Sequence, residues 1–224
     1  KELRGQTEQA ERWQRGVRLV NQNAGELLGQ LYVREHFAES AKQEISDLVD
    51  NLGQAFNVSI QELPWMGQET KQQALKKLEK FLPKLGYPDE WRDFSGLKTS
   101  PDDLVGNILN ARLFARDYTL EILNSPVDKN RWSVYPQMVN AFYRPTHNAI
   151  TFPAGILQLP MFEQGRDPAM NYGAIGAVIG HEFSHGFDDQ GRKFDGDGLL
   201  RNWWTEADAE EYQRRAAVLE EQFS

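Results

Sequence analysis

The stretch VIGHEFSHGFDD, Val178 to Asp189, sets two histidines four residues apart with a glutamate directly after the first. Nothing else in the chain constrains its fold as much. Residues i and i+4 share a face on an α-helix, so His181 and His185 can reach one metal ion only if this stretch is helical. Zinc takes nitrogen ligands at about 2.0–2.1 Å, and catalytic sites keep one position for water. Glu182 points around the helix from His181. It can touch that water without binding the metal and act as general base. Three protein ligands are expected in such a site, and the motif supplies two. The longer pattern HExxHxxGxxH would need Gly at 188 and His at 191, where this chain has Asp188 and Gly191. That class is excluded, which leaves a third ligand from a later helix, usually Glu.

A five-residue motif with three fixed positions also suits a polar helix turn carrying two surface histidines. Its surroundings favour the metal reading. The apolar run Ala174 to Ile179 precedes it, and a solvated face does not usually follow such a buried run. Bulk composition agrees with a packed protein: 224 residues, 40% hydrophobic, with 6 Trp, 7 Tyr and 12 Phe. The net charge of -8 disfavours nucleic acid as a partner. With no cysteine, there is no disulfide and no thiolate ligand or nucleophile. No run reaches the roughly 20 apolar residues of a membrane span. The start, KELRGQTEQAERWQRG, is polar, has no signal-peptide core and lacks an initiator Met, so it reads as an internal start.

The first half reads as helical. Ile45, Leu48, Val49, Leu52 and Phe56 recur at spacings of three and four within Ser40–Phe56, and Pro64 ends that element or its continuation. ETKQQALKKLEKFL follows as a helix with Leu75, Leu78, Phe81 and Leu82 on one side, stopped by Pro83 and GYP. A third helix starts with Ser100 as cap and Pro101 as first residue. Its buried stripe is Leu104, Ile108, Ala111, Ala115, Tyr118 and Ile122. The texture then turns to β-branched and aromatic residues around RPTHN, which predicts a hairpin with strands near 133–142 and 148–152. Asp167-Pro168 opens the helix that runs through His185. Gly173, Gly176 and Gly180 within it are poor helix formers and suggest close approach of another backbone. DGDG at Asp195–Gly198 is a turn. Thr205 caps a last helix with Tyr212, Ala216, Leu219 and Phe223 inward. The fold class is mainly α, a helical region followed by a segment with a small β hairpin.

Four blocks together resemble the neprilysin family of zinc endopeptidases: VNAFY (Val139–Tyr143), FPAGILQ (Phe152–Gln158), NYGAIGAVIGHEFSHGFDDQGR (Asn171–Arg192) and the pair Trp203-Trp204. That family includes neprilysin, the endothelin-converting enzymes and bacterial oligopeptidases. The resemblance implies that His181 and His185 are zinc ligands and Glu182 the base. It implies that Asn140, by its side chain, and Ala141, by its main chain, hydrogen-bond the substrate backbone, although Asn140 alone reads as a strand-end turn former. Ile156, Met161 and Val178 match positions around the pocket for the side chain after the scissile bond, and equally suit ordinary core. Asp188 and Asp189 suit orientation of a ligand histidine, or a helix cap or turn.

The family's third ligand is a Glu in a Glu-Asn-x-x-Asp block, which does not occur here and would fall just past Ser224. Glu206, Glu210 and Glu211 are substitutes by residue type only. DGDG lacks the rest of a calcium loop. The resemblance therefore implies an internal portion of a gluzincin-type zinc metalloendopeptidase. Residues 1–100 would belong to a helical lid domain and 101–224 to the N-terminal part of the catalytic domain. The parent would cleave short peptides on the amino side of bulky apolar residues, in an extracytoplasmic bacterial compartment, and the isolated chain would bind zinc weakly and be inactive. A different class, a peptide-binding or scaffold homologue without catalysis, is disfavoured by the intact His-Glu-His set.

Overall fold

The longest periodic apolar pattern forms a helix, as its spacing requires. In the computed structural model, which describes residues 8–223, it spans α2 (Glu39–Glu62) and buries Ala41, Ile45, Leu48, Val49 and Ile60. Before it stands α1 (Arg12–His36). The first seven residues of the polar N-terminal stretch lie outside the described residues. After α2 comes α3 (Gln68–Glu79), three residues shorter at its C-terminal end than the pattern predicts.

Lys80 caps the helix, Phe81 links it onward, and Leu82 opens a strand, β1 (Leu82–Gly86). Pro83, expected to stop a helix, sits within β1. A proline is tolerated on an edge strand, where its missing N–H costs no ladder bond, and β1 is such an edge. The strand order is β1-β3-β2, with β2 at Phe142–Arg144 and β3 at Ala149–Pro153. β3 is buried along its whole length and pairs parallel with β1 (Leu82 opposite Ala149) and antiparallel with β2 (Phe142 opposite Thr151). The hairpin is therefore present, but its first strand begins at Phe142, not near 133. Asn148 closes its turn with φ of 49°, a left-handed conformation Asn tolerates well. Its side chain, fully buried, donates to the Lys77 carbonyl at 2.9 Å and accepts from the Tyr143 hydroxyl at 3.0 Å.

Chain tracing gives two compact units, each assembled from separated segments. One takes the described residues up to His36 with Pro88–Gln137; the other takes Phe37–Tyr87 and the chain from Met138 on. A single division near residue 100 does not coincide with them. In the first unit, α4 (Leu104–Leu123) is capped by Asp103, whose carboxylate accepts from the Gly106 N–H at 2.8 Å. The expected Ser100 cap and Pro101 start lie just outside the helix. The predicted stripe is only partly covered: Ala111 is buried, Ile108, Tyr118 and Ile122 are half-buried, and Leu104 and Ala115 are exposed. In this unit the Arg92 guanidinium lies over Phe114 and Tyr118, at 4.3 and 3.9 Å.

The second unit carries the motif helix, in three parts: α5 (Pro168–Asn171), a π-turn over Tyr172–Gly176, and α6 (Ala177–His185). Asp167 caps it, accepting from the Ala169 N–H at 2.9 Å, with Pro168 as first residue. The glycines do not mark a tight backbone approach. A Cβ at Gly173 or Gly180 would meet nothing within 4 Å, and one at Gly176 would make ordinary contacts. Gly173 and Gly176 fall instead in the π-turn, where the helix ladder slips and the Ile175 N–H donates to the Met161 carbonyl at 3.1 Å.

The last helix, α7 (Glu206–Phe223), starts at Thr205, whose hydroxyl accepts from the Asp208 N–H at 3.3 Å. Its inward face ends early. Tyr212 is half-buried, but Leu219 and Phe223 are 58% and 85% exposed, and Ala216 is exposed as well. DGDG forms a turn closed by Gly198 at φ of 79°. No helix among the described residues is long and apolar enough to cross a membrane.

Candidate metal centre

An aromatic floor holds α6 in place. Phe183 stacks on Phe56 of α2 at 5.8 Å and tilts against Phe81 at 5.4 Å. Phe81 lies parallel to Phe187 at 5.8 Å and stacks on Tyr143 of β2 at 5.5 Å. Ile175, Ile179 and Phe183 are buried on this side. Helical periodicity then turns His181 and His185 the other way.

The two imidazoles lie with centroids 4.4 Å apart and planes at 76°. His181 is exposed and His185 half-buried. His185 Nδ1 is 2.8 Å from Asp188 Oδ2. An ionised carboxylate only accepts, so Nδ1 carries the proton and Nε2 keeps a lone pair for a ligand. Asp188 is itself fixed, since its Oδ1 accepts from the N–H groups of Gln190 at 2.9 Å and Gly191 at 2.7 Å. Asp189 does not join this set; its carboxylate accepts from the Gln190 side chain at 2.5 Å.

Glu182 is 6% exposed, and the backbone N–H of Tyr143 lies near enough to favour its charged form. Burial pushes its carboxyl above the usual range, while His185, His181 and the Tyr143 N–H pull the other way. A carboxylate with a raised pKa beside two imidazoles is suited to accept a proton and pass it on.

The other candidates are spread along the same unit. Asn140 is exposed, and its Oδ1 accepts from the Ala141 N–H at 3.0 Å, so that N–H is already engaged. Ala141 is 8% exposed. Val178 lies three residues before His181 on α6 and is half-buried, as are Ile156 and Met161. The Met161 carbonyl bond to Ile175 joins the loop carrying Ile156 and Met161 to the motif helix.

The donor set fits a zinc-type ion in part. Two imidazoles on one helical face, one of them oriented by a carboxylate, supply two nitrogen ligands. Among the described residues, no group of three or more His, Cys, Asp or Glu could hold a metal ion. Glu211 is tied to Arg214 and Arg215, each at 2.7 Å. Asp195 is committed to its own turn and to Arg201 at 3.2 Å, and Asp197 to Lys80 at 2.8 Å.

Sequence reasoning passed over Lys77. It is 1% exposed on α3, and its ammonium donates to the carbonyls of Gly186, Gly191 and Phe194 at 2.6, 2.7 and 2.7 Å. Its signal was legible: positions 74, 77, 78 and 81 form one helical stripe, and three of them are apolar. Asp208 was passed over as well. It is 5% exposed and joins the starts of α3 and α7.

Comparison with known proteins follows the same geometry. Residues 140–224 and 1–88 each match a family model described as Peptidase family M13. The chain is 38% identical to neprilysin-11 of Caenorhabditis elegans, over 100% of this chain and 27% of that protein. It is 37% identical to human endothelin-converting enzyme 1, over 95% of this chain and 29% of that one. Among solved structures, the zinc metalloprotease Zmp1 of Mycobacterium tuberculosis, in complex with inhibitor, superposes with a TM-score of 0.87 at 51% identity. That match covers 97% of this chain and 33% of Zmp1. The chain thus spans about a third or less of the length of the relatives it matches.

Proposed function

The chain belongs to peptidase family M13, the neprilysin family, and on that premise we propose that it carries the HExxH part of a zinc-dependent endopeptidase of the gluzincin type. The parent protein hydrolyses short peptides on the amino side of bulky apolar residues, outside the cytoplasm. The third zinc ligand is a Glu beyond Ser224, and this chain alone binds zinc weakly and does not turn over peptide. The observation that carries the reading is the placement of Glu182, nearly buried and electrostatically coupled to two histidines whose rings are 4.4 Å apart.

Each residue then has a task. His181 and His185 would hold the ion through ring nitrogens, and Asp188 keeps His185 in the tautomer that leaves Nε2 free. Zinc, when bound, supplies a Lewis acid for the water and the peptide carbonyl. Glu182 takes the proton from the attacking water and returns it to the leaving amine. Asn140 and Ala141 bind the backbone of an extended peptide laid along the start of β2. Ile156, Met161 and Val178 line the pocket for the following side chain.

The test is Glu182→Gln in the parent protein. Peptide hydrolysis is expected to fall by about 10² to 10⁴-fold while zinc content stays unchanged. Turnover by the variant at the native rate refutes Glu182 as the base.

A further inference from the structure

We propose that Lys77 is a positioning residue for His185, acting through the loop after α6 and through Asp188. The proposal rests on reading His185 as a metal ligand.

An ammonium has three donors and no acceptor. Lys77 spends all three on backbone carbonyls, those of Gly186, Gly191 and Phe194, within 2.6–2.7 Å. Gly186 is the C-cap of α6, so the first bond falls where a helix leaves carbonyls without partners. Positive charge there also suits the negative end of the helix dipole. Neither Gly186, with φ of −65°, nor the next residue, Phe187, is left-handed. The helix thus lacks the left-handed glycine that commonly closes a C-terminus, and the lysine serves in its place. The rings of Tyr143, Phe187 and Trp203 surround Nζ at 5.6–5.7 Å and keep water from it.

The loop held in this way carries Asp188. Gly186 lies two residues before Asp188 and Gly191 three after it. One ammonium therefore ties down the backbone on both sides of the carboxylate that orients His185. The two contacts interlock at Gly191, whose N–H donates to Asp188 and whose carbonyl accepts from Lys77. Gly191 also packs so closely on the His185 carbonyl and the Gly186 backbone that a Cβ would collide with both. Removing the ammonium leaves the Gly186 carbonyl at the end of α6 without a donor and takes one of two donors from Gly191 and Phe194, which keep only the Phe194 N–H and the Trp203 indole N–H, so the loop's hold on the end of α6 is lost. Asp188 moves with the loop, and His185 loses its fixed tautomer.

The experiment reads the imidazole nitrogens of His185 by 15N resonance in the metal-free chain at neutral pH. The native chain should show the Nδ1–H form. In Lys77→Met, the ratio of Nδ1–H to Nε2–H should fall roughly fivefold or more, with His181 unchanged. An unaltered ratio in a folded Lys77→Met protein overturns the proposal. If that variant loses its dispersed amide signals, Asp188→Asn decides, since coupling is reciprocal. Proton exchange of the Lys77 ammonium, slow in the native chain, should then speed up by roughly tenfold, and unchanged exchange overturns the proposal. Zinc content of the parent protein carrying His185→Ala tests the ligand reading separately: zinc retained as in the native parent sinks that reading, whatever the tautomer result.

Discussion

Asp208 offers the most quantitative test of how the second unit is held together. Its Oδ1 accepts from the Gly67 N–H at 2.8 Å, and its Oδ2 from the hydroxyls of Thr70 at 2.5 Å and Thr205 at 2.7 Å. Gly67 and Thr70 open α3, and Thr205 opens α7, so one carboxylate sits at two helix N-termini, where negative charge is favoured. Asp208→Ala removes three charge-assisted bonds and leaves the fully buried Thr70 hydroxyl without its acceptor. Each such bond is worth roughly 1.5–3 kcal/mol, but the three share one group and do not add. We expect a loss of about 4 kcal/mol, the range found when one partner of a buried charged network is deleted. Asp208→Asn, which keeps one acceptor, should lose about half of that.

Urea unfolding followed by tryptophan fluorescence measures this locally, because Trp204 packs on Trp65 at 5.8 Å and on Tyr212 at 5.4 Å beside the junction. The pH dependence provides the control. Burial raises the Asp208 carboxyl, but the bonds from Thr70, Thr205 and Gly67 outweigh it and hold the group below its ordinary 3.8. A depressed carboxyl stabilises the fold fully above that value and ceases to as pH falls through the folded-state pKa. The native chain and Asp208→Asn should therefore differ at neutral pH and converge below about pH 4. A difference under about 0.5 kcal/mol at neutral pH, or one that persists unchanged in acid, refutes the reasoning.

Other outcomes follow from the same packing. Burial lowers the Lys77 ammonium to about 8, against the upward pull of Asp188 and Asp195. The unfolded chain holds that proton up to about 10.5, so stability should rise between about pH 8 and pH 10.5, by up to about 3 kcal/mol, and Lys77→Met should lack the rise in urea titrations. Phe183→Ala empties the ring site between Phe56 and Phe81 and should cost about 3–5 kcal/mol in thermal or urea unfolding. Gly191→Ala drives a methyl into the His185 carbonyl and should cost about 1–3 kcal/mol, with zinc affinity by calorimetry falling alongside.

Local signals were read well where the chain decides locally. Asp167 with Pro168, and Thr205, mark helix starts because one side chain bonding a nearby N–H suffices. The stripe of α2 follows for the same reason. β1 was not legible, because LPKLG alone resembles a helix end, and its strand state comes from parallel pairing with residues 149–153 far along the chain. The π-turn depends on a carbonyl at Met161, ten or more positions before it. The apolar stripes of α4 and α7 were legible as patterns, but a pattern says only that a face is apolar, not that it is covered within these residues. In the candidate centre, His181, Glu182 and His185 come together through helical spacing alone. Lys77 and Tyr143 approach the site from other elements and had no motif to announce them.

The path of the backbone has a practical consequence for anyone who would exchange parts among relatives. It passes from one body to the other after His36, after Tyr87 and after Gln137. A chimaera made at one of these junctions mixes parental sequence inside at least one body and mismatches side chains that had packed together. Transplanting either body intact requires replacing two inserts at once, so the natural cassette here is a matched pair of segments.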